Sequence, residues 1–167
     1  MTDSALVTSD SSTRPEILGA TIYKLRPDEV MRYWCIIELA IREAHVPTVQ
    51  PGENEITKLQ EDLVNDNDAE VWIGTNDQGL PCAVAVVVIL TQPTGEKNAL
   101  IFALYGIENL TIQLFGIWAI GFLKHFQRRG MTKLIAYTNQ SKVVALATRL
   151  GAHADFTLLE WRLQDVR

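Results

Sequence analysis

Between Ala99 and Leu123 the chain carries a single charge, Glu108, in 25 residues. Little in a sequence constrains a fold more tightly, because so apolar a run must either cross a membrane or be buried. Its length alone would allow a span. Tyr105-Gly106-Ile107-Glu108-Asn109 interrupts it, however, with turn and helix-start chemistry. The residues before that break favour a strand and those after it continue as a helix. The run therefore reads as a buried strand followed by a buried helix, with no membrane span. Burial needs a core to enter, and 167 residues at 47% hydrophobic and 21% charged can supply one.

The same numbers exclude other classes. A chain of formal net charge -5 has no electrostatic reason to seek phosphate backbones. Its basic residues are scattered except for Lys124, Arg128, Arg129 and Lys133 around one helix end, where cations answer the helix dipole, so no nucleic-acid partner is expected. Cys35 and Cys82, each among apolar neighbours, read as buried thiols of a reducing compartment, which implies a cytoplasmic site of synthesis. His45, His125 and His153 are far apart and neither Cys has a partner at ligand spacing, so no metal site is expected. The first fifteen residues are rich in Ser, Thr and Asp and contain no apolar stretch of the kind a secretory signal needs.

Along the chain, residues 1–17 read as a polar tail and 18–167 as one domain. A strand over 20–25 precedes Pro27-Asp28-Glu29, which places Pro and two acids in the first turn of a helix. That helix sets Val30, Trp34, Ile37 and Ile41 on one face and stops before Pro47. A second helix carries Ile56, Leu59 and Leu63. Three strands follow, over 69–75, 82–91 and 99–107, joined by turns at Asn76-Asp77-Gln78-Gly79 and Pro93-Thr94-Gly95. That spacing makes an antiparallel meander. A long helix over 110–129 ends at Gly130, a strand occupies 134–138, a short helix over 141–150 ends at Gly151, and a last strand spans 155–163.

This order resembles the Gcn5-related N-acetyltransferase fold over about residues 18–165. The local passages that carry the likeness are Arg129-Gly130-Met131-Thr132-Lys133-Leu134, Tyr137-Thr138-Asn139 and Arg149-Leu150-Gly151-Ala152, with Ala152 where the family has Phe. The resemblance implies an α+β, three-layer domain. Its central sheet would be mixed but mostly antiparallel, with roughly six strands and roughly four flanking helices. It also implies acetyl-CoA chemistry, and there the residues depart from the pattern. Active members carry Arg/Gln-x-x-Gly-x-Gly/Ala ahead of the long helix, where glycines let backbone N–H groups close around a pyrophosphate. The matching stretch here is Leu110-Thr111-Ile112-Gln113-Leu114-Phe115, with no glycine and no cation. The family's tyrosine acid in the short penultimate helix is absent too: Ala147 or a neighbour takes its place, and 141–150 contains no Tyr.

These departures lead to the expectation of no catalytic residue, no cofactor-binding residue and no cofactor. The domain would instead be a structural or interaction component, with a protein partner or a homo-oligomer and no small-molecule ligand. The chain also resembles the small internal virion proteins of short-tailed phages, chiefly at Asn139-Gln140-Ser141-Lys142 and Arg149-Leu150-Gly151-Ala152, which implies incorporation in a virion. The surface expected to meet a partner is the outer face of the long helix, where Gln113, Ile117, Ile120 and Lys124 align with Gln127. Gly116 and Gly121 weaken that helix unless something packs closely on them.

Two alternatives stay open. A divergent acetyl-CoA-dependent N-acyltransferase would use backbone groups near 109–113 and Glu108 or an ordered water as base, although Glu108 reads first as a solvated helix-start acid. A small-molecule or peptide binder would use a cleft between Leu104 and Tyr137, which Leu114, Phe115 and Trp118 are placed to fill. Asn139 reads as a turn residue, and Tyr105 and Tyr137 as strand packing residues.

Overall fold

A computed structural model describes residues 21–43, 52–76, 78–107, 112–138 and 141–154, and leaves the side chains of 112–115 and 117 undescribed. The polar tail and the expected last strand over 155–163 lie outside the described residues. Strand β1 (Thr21–Lys24) leads into α1 (Pro27–Val30), whose start is fixed when Glu29 accepts the Arg26 backbone N–H at 3.0 Å. A short 3-10 turn at Met31–Tyr33 separates α1 from α2 (Trp34–Glu43), so the single helix expected here is two pieces joined by a tighter turn. Helix α3 (Glu53–Val64) follows.

The meander is then laid down as β2 (Ala69–Thr75), β3 (Pro81–Thr91) and β4 (Lys97–Gly106). In its first turn the Asn76 side-chain oxygen accepts the N–H groups of Gln78 and Leu80 at 3.0 and 2.9 Å. Helix α4 (Ile112–Arg128) crosses back to β5 (Lys133–Ala136), and α5 (Ser141–Arg149) follows. Gly130, at φ 73°, closes α4. The Met131 N–H reaches the Phe126 carbonyl and the Gly130 N–H reaches that of Gln127, both at 3.0 Å. This paired bond is the αL termination that a residue without a Cβ makes easily.

The five strands lie in sequence order, antiparallel from β1 to β4 and parallel between β4 and β5. Alternation along each strand sends its residues to opposite faces. Val71, Ile73, Val84 and Val86 meet Val30, Ile37, Ile41, Ile56 and Leu63 of α1–α3 on one face. Ile22, Ala85, Val87 and Ile89 meet Trp118, Phe122 and Phe126 of α4 on the other. The apolar run from Ala99 to Leu123 is thus divided between β4 and α4, and among the described residues no helix is long and apolar enough to cross a membrane. The expectation for the cysteines holds for one of the two. Cys82 is buried, but Cys35 is exposed, because it shares with Leu39 the face of α2 turned away from Ile37 and Ile41.

Candidate functional site

Strands β4 and β5 run together only from Asn98↔Lys133 to Ile101↔Ala136. The ladder to β3 slips at the same point: Val87 pairs with Ile101 and Val86 with Ala103, which leaves Phe102 as the extra residue of a β-bulge. Beyond the bulge β4 continues to Gly106 on β3 alone. Its outer edge from Phe102 to Gly106 has no strand partner among the described residues. Tyr105 is half-buried against the α1–α3 core, as expected of a strand aromatic. Tyr137 is not a packing residue: it lies just past the end of β5 and is 48% exposed. Glu108 and Asn139, which would flank the opening, lie outside the described residues.

Nor does Trp118 plug this gap. It is 3% exposed and packs over Gly74 of β2, on the far side of β3 from the splay. A Cβ built on Gly74 would fall inside the Trp118 indole, so the glycine is what lets α4 approach the sheet there. The side chains of Leu114 and Phe115 are outside the described residues.

The start of α4 at Ile112 decides how an acyl-CoA pyrophosphate could be held. An anion at a helix N-terminus needs free N–H groups in a backbone open enough to be approached, usually with a cation nearby. Residues 107–115 supply Ile, Glu, Asn, Leu, Thr, Ile, Gln, Leu and Phe, so the one formal charge there is negative. The first glycine of the helix is Gly116, one turn inside it. The sequence of this stretch offers a pyrophosphate no glycine and no cation.

A second polar constellation, which sequence reasoning missed, sits at the other end of α4. Glu70 of β2 is 3% exposed on the α4 face. Its carboxylate pairs with Arg129 and lies 3.4 Å from Lys24 Nζ and 3.5 Å from His125 Nε2, and it accepts the Trp72 indole N–H at 3.2 Å. Lys24 also reaches Asp66 at 3.1 Å. The His125 ring stands edge-on to Trp72 with centroids 4.7 Å apart. Burial among these rings, with Lys24 and Arg128 adding positive charge, holds His125 below the usual imidazole range. Arg129, expected to answer the helix dipole, is instead the counter-ion of Glu70. Only the period-two placement of Glu70 beside Trp72 hinted at this, since the partners on α4 are more than fifty residues away. The cluster anchors α4 to β1 and β2. No group of three or more His, Cys, Asp or Glu among the described residues is placed to hold a metal ion.

On the outer face of α4, Ile120 is 44% exposed and Lys124 and Gln127 are exposed beside it. Gln113 and Ile117 belong to the same helix, but their side chains are not described. A Cβ built on Gly116 or Gly121 meets nothing within 4 Å, so no packing among the described residues explains either glycine.

Comparison with solved structures fits this geometry. A predicted acetyltransferase from Clostridium acetobutylicum, determined with acetyl-CoA, superposes at a TM-score of 0.65 over 88% of this chain and 98% of its own, at 14% identity. The fold is that of the Gcn5-related N-acetyltransferases. Glucosamine-6-phosphate N-acetyltransferase from Arabidopsis thaliana gives 0.60 at 15% identity, over 86% of this chain and 98% of that one. Ribosomal-protein-alanine N-acetyltransferase from Brucella melitensis biovar Abortus 2308 gives 0.58 at 16%, over 86% and 99%. No family model and no curated protein matches the sequence. Identities this low establish the acetyltransferase fold and nothing finer.

Proposed function

We propose that this chain is a non-catalytic domain of acetyltransferase fold that serves as a structural or interaction component, and that its place is in a phage particle. The observation that carries the reading is the entry to α4, where an acyl-CoA pyrophosphate would have to sit on Leu110-Thr111-Ile112-Gln113 without a glycine or a cation. The absence of tyrosine from α5 removes the family's usual proton donor to a leaving thiolate. A fold kept while both features are lost supports reuse of the scaffold. The working surface of such a component is the outer face of α4, with Gln113, Ile117, Ile120 and Lys124 as contact residues.

One observation favours the second reading, a divergent acetyl-CoA-dependent N-acyltransferase. The β4–β5 ladder ends at Ile101, next to the bulge at Phe102, and among the described residues the edge of β4 beyond it has no strand partner, which leaves that edge for a substrate to approach. Calorimetric titration of acetyl-CoA into the purified protein separates the two. Binding tighter than roughly 100 µM, about 5.5 kcal/mol, exceeds what a stray anion contact offers and would overturn the non-catalytic reading. An absence of heat up to millimolar ligand is the expected result.

A further inference from the structure

Two helical faces on opposite sides of the sheet carry opposite charge, and neither is neutralised among the described residues. Residues 112–133 contain Lys124, Arg128, Arg129 and Lys133 and no carboxylate. Arg129 is taken by Glu70, while Lys124, Arg128 and Lys133 have no ionic partner among the described residues. Beside Lys124 the helix exposes Ile120 and also Leu123, 43% accessible. Gly116 and Gly121 leave the surface low enough for another backbone to come close.

On the other side of the sheet, α3 and the turn after it (53–68) hold six carboxylates against one lysine. Glu53 pairs with Arg42 and Asp66 with Lys24, while Glu55, Glu61, Asp62 and Asp68 have no ionic partner among the described residues. Met31 lies at this face, with Gln60 Nε2 3.3 Å from its Sδ, and is 56% exposed. Each face therefore combines exposed apolar surface with unpaired charge, and the two signs match each other. Complementary potentials of this kind steer association and fix register more than they add affinity.

We infer that the partner of the α4 face is a second copy of this chain, which presents its α3 face. This rests on the reading of the domain as an interaction component. Because α3 packs on one face of the sheet and α4 on the other, the contact is head-to-tail and leaves a free face at each end. Such heterologous contacts close into rings or continue as filaments, and they do not stop at a two-fold dimer.

Sedimentation velocity over a concentration series, at low and high salt, tests the inference. The wild-type chain is expected to assemble beyond a dimer and to dissociate as salt screens the contact. Lys124→Glu with Arg128→Glu, and separately Glu55→Lys with Glu61→Lys, should each weaken assembly by at least about tenfold. An equimolar mixture of the two variants should regain it, because every contact then joins opposite charges again. All four positions are exposed, and unchanged unfolding midpoints would show that the variants fold. A wild-type chain that stays monomeric, variants that assemble undiminished, or a mixture that fails to recover would each overturn the head-to-tail contact. Acetyl-CoA calorimetry on the same samples separates the failures. A monomer that gives no heat refutes self-pairing alone, and a monomer that binds acetyl-CoA tightly refutes the interaction reading as well.

Discussion

Replacing Gly74 by alanine tests how α4 is seated on the sheet. Gly74 is laddered on both sides, to Ile22 of β1 and Ala83 of β3, so β2 cannot retreat from the helix. The new Cβ would overlap the Trp118 ring, and Trp118 is almost wholly buried. Either α4 lifts, which overpacks the layer at about 1–3 kcal/mol, or the indole leaves its site and forfeits burial worth about 3–5 kcal/mol. Against this, alanine restricts the unfolded chain and returns about 0.4–1 kcal/mol. The net expectation is a loss of about 1–4 kcal/mol, the lower end if α4 lifts and the upper if the indole leaves, or roughly 3–15 °C in midpoint for a domain of this size. Urea unfolding followed by circular dichroism measures it. Trp118→Phe supplies the control: if the indole is the obstacle, Gly74→Ala costs distinctly less in the Trp118→Phe background, a coupling of about 1 kcal/mol or more. A Gly74→Ala protein within about 0.5 kcal/mol of wild type would refute the packing argument.

Gly116→Ala and Gly121→Ala should each stabilise the monomer by about 0.5–1 kcal/mol, read from urea midpoints, because alanine favours the helix and neither Cβ meets an atom within 4 Å. A loss of stability in either variant would show that something in the chain packs on that glycine. His125 should make stability depend on pH. With its folded pKa held below the unfolded value of about 6.5, the folded state binds fewer protons, so its stabilisation is complete above that value and is lost as pH falls through it. The urea midpoint should therefore drop between about pH 7.5 and pH 5.5, and drop less in His125→Asn. The opposite slope would mean that the Glu70 carboxylate, 3.5 Å away, outweighs burial and the charges of Lys24 and Arg128.

Much of the fold was legible because it is written in local signals. The spacing of Val30, Ile37 and Ile41, the Asn76–Gly79 turn and the glycine after α4 each depend on a few adjacent residues, and β2 was placed to the residue. The break between α1 and α2 was not legible, since a 3-10 turn keeps nearly the same apolar spacing as the helix it interrupts. The bulge at Phe102 left no mark, because an extra residue in a wholly apolar strand disturbs no alternation. The docking of Trp118 on Gly74 and the Glu70 cluster were hidden for a different reason. Both join β2 to α4 across more than forty residues, and a single sequence shows which residues are unusual but not which ones meet. The opposite mistake at Cys35 has the same source: apolar neighbours along the chain do not say which side of the helix is covered.

Helix α4 shows where the work of this domain is to be sought. Its inner face is fixed near its middle by Trp118 on Gly74 and at its end by Arg129 and His125 on Glu70. Removing Glu70 would take from Arg129 its ionic partner among the described residues and leave Lys24 with Asp66 alone. The inner face is thus accounted for by folding. Its first turn, where the fold's enzymes hold their cofactor, has no glycine and no cation to hold one. The outer face is accounted for by neither. Among the described residues, two glycines weaken the helix with nothing packed on them, two large apolar residues are exposed, and two cations stand without a counter-ion. Each is unremarkable singly on a protein surface. Gathered on one face of one helix, opposite a layer of carboxylates without ionic partners among the described residues, they are the observations on which the proposed interaction surface rests.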